Sequence, residues 1–198
     1  MPFIKIKFKA YKCLFLHYIL LTTIMKQLEL YHKEFSAYLS SPEVKSAMEK
    51  AMELLRAHNR ISFIGNGGSN SICSHMMEDY MKMMSKRTSS FTDAAMITCF
   101  ANDYGWEKAM EEWIGFQFMP GDLLVAISSS GESKNILNAV RKAKEIGGKV
   151  ITFSGFNKDN SLGKMGDANI IIPTRSYGIV ENLHSTILHI ILDQLQGL

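Results

Sequence analysis

Ser128-Ser129-Ser130-Gly131-Glu132-Ser133 crowds four hydroxyls around one glycine. The apolar run Leu123-Leu124-Val125-Ala126-Ile127 precedes it, and a helical pattern from Asn135 to Val140 follows. A strand, a small-residue turn and a helix start make an anion site: first-turn N–H groups lack partners, the dipole end is positive, and serines add donors. A phosphate on a small molecule is the expected anion. The plain alternative is a serine that caps the helix, but capping needs one serine and this loop has four.

A second loop, Gly65-Asn66-Gly67-Gly68-Ser69, follows the apolar stretch Ile61–Ile64. Glycines let backbone N–H groups approach a ligand closely. Asn70 stands where a dinucleotide fingerprint needs its third glycine, and neither loop is a Walker A sequence, so NAD and ATP are disfavoured. On the helix expected after this loop, His75 and Asp79 are four apart and share a face, with Glu78 at the adjacent spacing. On the last helix, Glu181 and His189 are eight apart, nearly one face after two turns, with His184 between them in sequence. His and carboxylate pairs at such spacing bind a divalent metal or move protons; ordinary surface ion pairs are the alternative. Phe100-Ala101-Asn102-Asp103-Tyr104-Gly105 is a third polar cluster, expected between helices, which either offers Asn102 and Asp103 to a ligand or ends a helix in an Asn/Asp turn.

These loops need a scaffold that brings them together. Strands are expected at Ile61–Ile64, Thr88–Phe91, Leu123–Ile127, Val150–Phe153 and Asn169–Ile172. Helices are expected at about Ser71–Ser85, Thr92–Phe100, Glu107–Phe118, Lys134–Glu145 and Val180–Leu195. Such alternation predicts an α/β fold: a three-layer αβα sandwich around a five-stranded parallel sheet, with ligands beyond the carboxyl ends of the strands. Residues from Met25 to about Ala57 read as a helical arm, broken at Ser40-Ser41-Pro42, whose apolar faces suit bundling with another subunit.

The chain has 198 residues, 46% of them hydrophobic and 21% charged, which suits one globular domain over residues 26–198. The net charge of +3 comes from the first 25 residues, where Lys5, Lys7, Lys9 and Lys12 face no acid. The rest is close to neutral, so no nucleic-acid partner is expected. Cys13, Cys73 and Cys99 are too few for a disulfide framework, which points to the cytoplasm. Residues 1–25 form an extension of open role. They look like the start of a signal peptide without its cleavage site, and the apolar run is short for a membrane span. Met25 as the true start, an extra packing helix and a weak membrane-surface anchor are the readings; no membrane span is expected.

From Lys26 to Leu195, in order and spacing, these motifs resemble sugar isomerase (SIS) domains, and among them the phosphoheptose isomerases, which interconvert sedoheptulose 7-phosphate and a heptose 7-phosphate. The serine loop carries the SIS resemblance; Phe-Ala-Asn-Asp and His75 carry the narrower one. The resemblance implies that Asn66, Gly67 and Gly68 hold the sugar chain. It implies that Ser128, Ser129, Ser130 and Ser133, with Ser69 nearby, hold the phosphate, and that Asn102 and Asp103 touch substrate. It places His75, Asp79, Glu181 and His189 around a zinc ion and the reacting carbons. In the expected mechanism Asp79 is the base, or Glu181 where its added carboxylate compensates for Asp79's shorter reach, and His189 is the proton shuttle. It further implies a homotetramer with sites between subunits. Two positions depart from the family pattern: Asp79 stands where the family has Glu, and Glu181 where it has Gln. The implied product feeds a surface polysaccharide. A non-catalytic sugar-phosphate sensor or protein-binding SIS regulator, and an isomerase of another sugar phosphate, are the other readings.

Overall fold

The computed structural model describes the backbone of residues 3–198 and the side chains of residues 20–198. Helix α1 (Phe3–Ser40) runs through Met25. Contacts group residues 1–39 apart from residues 40–198. The Cys13 side chain lies outside the described residues; Cys73 and Cys99 are free thiols. Among the described residues no helix is long and apolar enough to cross a membrane.

Helix α2 (Pro42–Ala57) starts where the sequence indicated: Ser41 Oγ accepts from the Val44 amide and Pro42 takes the first turn. Five strands follow: β1 (Arg60–Ile64), β2 (Arg87–Ser90), β3 (Leu123–Ser128), β4 (Lys149–Gly155) and β5 (Ala168–Ile172). They form one parallel sheet in the order β2-β1-β3-β4-β5. The chain leaves β1 toward one side for β2 and returns to the other for β3. Between them lies the switch point where ligands of open α/β sheets sit. The glycine loop after β1 and the serine loop after β3 are therefore neighbours.

Helices α3 (Gly68–Met84) and α7 (Tyr177–Gln196) pack with α2 on one face. Helices α4 (Ala94–Tyr104), α5 (Trp106–Gln117) and α6 (Lys134–Ile146) cover the other. Strand alternation feeds both layers: Ile64 joins Phe91, Trp113, Leu124 and Val140 beneath α5 and α6, while Phe63 meets Tyr80 of α3 with ring centroids 5.9 Å apart.

Three expected boundaries shift. Helix α3 begins at Gly68 rather than Ser71, because Gly67 turns the chain at φ 53° directly into the helix. Helix α7 begins at Tyr177 rather than Val180, since Ser176 accepts from the Ile179 amide and caps it there. The cluster expected between helices is the last turn of α4: Asp93 caps the helix start and only Gly105, at φ 79°, stops it. Asn102 and Asp103 thus stand on an exposed helical turn, not in a loop.

Candidate sugar-phosphate site and metal cluster

Hydroxyl bookkeeping in the serine loop leaves donors to spare. Ser128 Oγ donates to Ser133 Oγ at 3.2 Å and accepts from the Gly131 amide. Ser130 Oγ accepts from the Glu132 amide. Ser133 sits at the N-cap of α6 but makes no side-chain cap bond, so the capping alternative does not account for it. Ser129 Oγ is buried with no protein partner. The hydroxyl protons of Ser129, Ser130 and Ser133 are thus all uncommitted, and these residues line one cavity of about 150 Å³ with Asn66, Ser69, Tyr177 and Glu181. A buried orphan hydroxyl next to two free ones calls for an oxygen-rich ligand.

The loop is held from below. Gly131 has φ +69°, and a Cβ there would collide with the Asn160 side chain. Buried Asn160 donates to Ser154 Oγ and accepts from the Gly163 amide. Glu132 clamps the rim by accepting from both the amide and the hydroxyl of Ser161 at 2.8 Å. Asn66 pairs its amide reciprocally with buried Asn135 at 2.9 and 3.0 Å, tying the glycine loop to α6. Asn135, Asn160 and Tyr177 carry no sequence motif of their own; only their neighbourhood to the two loops marks them.

Three of the four expected metal positions come together. His75 Nε2 lies 3.2 Å and His189 Nε2 3.7 Å from Asp79 Oδ2. One ligand atom from each of the three residues lies within 4.8 Å of the others. His189 Nδ1 donates to the Ser185 carbonyl at 2.8 Å, which leaves Nε2 as the nitrogen open toward Asp79. Two imidazoles and a carboxylate are a donor set that zinc accepts.

Glu181 is not part of that cluster. Among the described residues only His75, Asp79 and His189 bring a ligand atom each within 4.8 Å of one another. The Glu181 carboxylate instead reaches the first turn of α3: a Cβ on Gly68 would lie 2.5 Å from Glu181 Oε2. There it complements the positive end of the helix. It has no hydrogen bond or ion pair among the described residues, and it faces the serine-lined cavity. Gly67 and Gly68 are exposed beside it. Asn102 and Asp103 are exposed on α4, bonded to each other at 2.9 Å and outside the cavity lining.

His184 has a structural place. It is fully buried, its Nε2 meets the Ser154 carbonyl at 3.0 Å, and burial lowers its pKa to about 4. Burial likewise pushes Tyr80 well above the ordinary phenol value, with Asp79 adding to it. Tyr80 Oη donates to the Leu188 carbonyl at 3.3 Å and pins α3 to α7 beside the cluster.

The SIS domain profile matches residues 27–155. The chain belongs to the SIS domain family. A phosphoheptose isomerase from Fusobacterium nucleatum is 30% identical over 183 residues, 89% of this chain and 93% of that protein. One from Helicobacter pylori is 29% identical over 189 residues, 85% and 95% of the two chains. The solved phosphoheptose isomerase of Neisseria gonorrhoeae superposes with TM-score 0.75 at 25% identity, covering 90% of this chain and 97% of that one. The SIS domain here is thus of the phosphoheptose isomerase type, as the motifs suggested.

Proposed function

We propose that the chain is an aldose–ketose isomerase of sugar phosphates and interconverts sedoheptulose 7-phosphate with D-glycero-D-manno-heptose 7-phosphate in the cytoplasm, for a surface polysaccharide. The names of its relatives support the reaction class. The observation that carries it is one cavity offering three serine hydroxyl protons without an acceptor, that of orphaned Ser129 among them, and an unpartnered carboxylate, Glu181.

The serine loop takes the phosphate: hydroxyls and the amino end of α6 answer its charge. That remote binding energy positions the reacting end of the sugar. Glu181 removes the proton next to the carbonyl, because Asp79 is engaged by two histidines while Glu181 is not. The enediol is then reprotonated at the neighbouring carbon. His189 Nε2, 3.7 Å from Asp79 Oδ2, is the ring nitrogen open to carry a proton to the oxygens.

His75, Asp79 and His189 would hold a zinc ion, which supplies Lewis-acid polarisation of the carbonyl when bound. An ion would take the same His189 nitrogen, so shuttling and ligation are exclusive uses of it. Asn102 and Asp103 lie outside this cavity; in the proposal they meet the substrate of a second copy within a homotetramer.

The assay supplies sedoheptulose 7-phosphate in deuterated water, with and without zinc, and follows aldose formation and deuterium uptake by NMR. Turnover with uptake at the carbon next to the carbonyl is expected. Tight binding without either would turn the reading to a sugar-phosphate sensor. Full activity in His189→Ala would remove His189 from both its roles.

A further inference from the structure

At the amino-terminal end of the sheet, opposite the serine loop, a second polar cavity of about 240 Å³ opens between β1, β2 and α5. Arg60 and Arg87 are register partners on adjacent strands, and Ser62 and Ser89 are partners one pleat further on. Strand alternation puts all four on the face that, at Ile64 and Phe91, continues into the apolar core. Gln117, at the end of α5, closes the cavity: its Nε2 donates to Ser62 Oγ and Ser89 Oγ, both at 3.1 Å. The two hydroxyls share one bond of 3.0 Å between themselves. That bond consumes one hydroxyl proton and leaves the other to donate elsewhere.

The charges do not balance. Like charges directly opposite on neighbouring strands repel. Arg60 is answered by Asp122, with Nε 3.4 Å from Oδ2, and its Nη2 donates to the Gln117 carbonyl at 2.8 Å. Arg87 has neither an ion pair nor a side-chain hydrogen bond among the described residues, and no carboxylate lines the cavity. Arg87, without a counter-ion, and a spare hydroxyl donor therefore line the same space beside Arg60, whose Nη1 also donates to Met119 Sδ at 3.5 Å.

We propose that this cavity is a second anion site, which takes a phosphate group, free or carried by a small metabolite. Guanidinium forks suit phosphate oxygens, and the hydroxyl approaches from the sheet floor, so donors surround a tetrahedral anion rather than one edge of a carboxylate. The volume falls below the roughly 300–1,000 Å³ of pockets for larger ligands, which excludes a dinucleotide. Phe63 and Ile64, within about 10 Å of extended chain from Ser62 to Gly65, separate it from the glycine loop, so it lies at the opposite end of β1 from the site above.

Amide spectra of the full chain, titrated with inorganic phosphate and separately with glycerol 3-phosphate, test this. The amides of residues 87–90 and Gln117 are expected to shift along a saturating curve of their own, distinct from that of residues 128–133. Saturation by both probes assigns the free anion; saturation by glycerol 3-phosphate alone assigns an esterified one. Arg87→Ala, at an exposed position, should weaken this curve at least about tenfold and leave the serine-loop curve and any turnover intact. Amides at 87–90 that stay still while the serine loop saturates, or that shift equally in Arg87→Ala, would overturn the proposal.

Discussion

Two carboxylates are separated by their partners, and that separation is testable. Asp79 sits between two imidazoles; Glu181 faces the cavity alone. Glu181→Gln keeps the shape and removes the base, so kcat should fall about 10²–10⁴-fold with KM little changed, measured by steady-state kinetics. Asp79→Asn should instead weaken zinc binding by about a hundredfold or more, read by competition with a chelator dye. Equal effects of both substitutions on both readouts would contradict the division. Ser129 makes a third case. Its buried hydroxyl has no partner within the chain. Ser129→Ala therefore removes no internal bond and should leave Tm unchanged, while KM rises about 10–100-fold through one lost charge-assisted hydrogen bond. A lower Tm with unaltered KM would make the serine structural.

At the scale of elements, the metal cluster depends on how α3 sits against α7. Tyr80 neighbours Asp79, Leu188 neighbours His189, and the bond from Tyr80 Oη to the Leu188 carbonyl joins the helices there. Tyr80→Phe should lower stability by about 1 kcal/mol in urea unfolding and also weaken zinc binding, since the ligands lose a common anchor. Retained zinc affinity alongside the stability loss would show that packing alone holds the helices. The sequence made the elements legible because their signals are local: apolar runs for the five strands, Ser41-Pro42 for the start of α2, and the i,i+4 spacing of His75 and Asp79. It misplaced the Asn102–Asp103 cluster because Asn and Asp favour turns, yet here the helix runs on to a glycine at φ 79°. It grouped Glu181 with His189 because a helical face is periodic. Where the Glu181 carboxylate goes depends on α3, whose first turn it reaches, and no local pattern shows that. Asn135 and Asn160 were silent because a buried asparagine has no local pattern; its role is defined by the loops that it ties together.

Across the whole molecule, α7 threads the separate parts: Tyr177 and Glu181 at the cavity, His184 in the core, His189 at the cluster. His184 couples that helix to the sheet, and through Ser154 and Asn160 to the base of the serine loop. Its ring lies edge-on to Phe153 at 5.5 Å, with no acid as partner. The folded pKa of about 4 lies below the model-peptide value of 6.5, because burial penalises the charged ring. The unfolded chain therefore binds a proton that the folded chain refuses between those values. The resulting stability is complete above about pH 6.5, falls as pH drops through the window, and levels off below about pH 4. Its size is on the order of 3 kcal/mol. Urea midpoints at pH 7, 6 and 5 should decline in the wild type. His184→Gln, which does not titrate, should show a shallower decline, because the carboxylates shared by both proteins contribute equally and cancel in the difference. Parallel pH curves for the two proteins would mean that His184 keeps its proton in the fold, and that the link from α7 to the serine loop carries a charge.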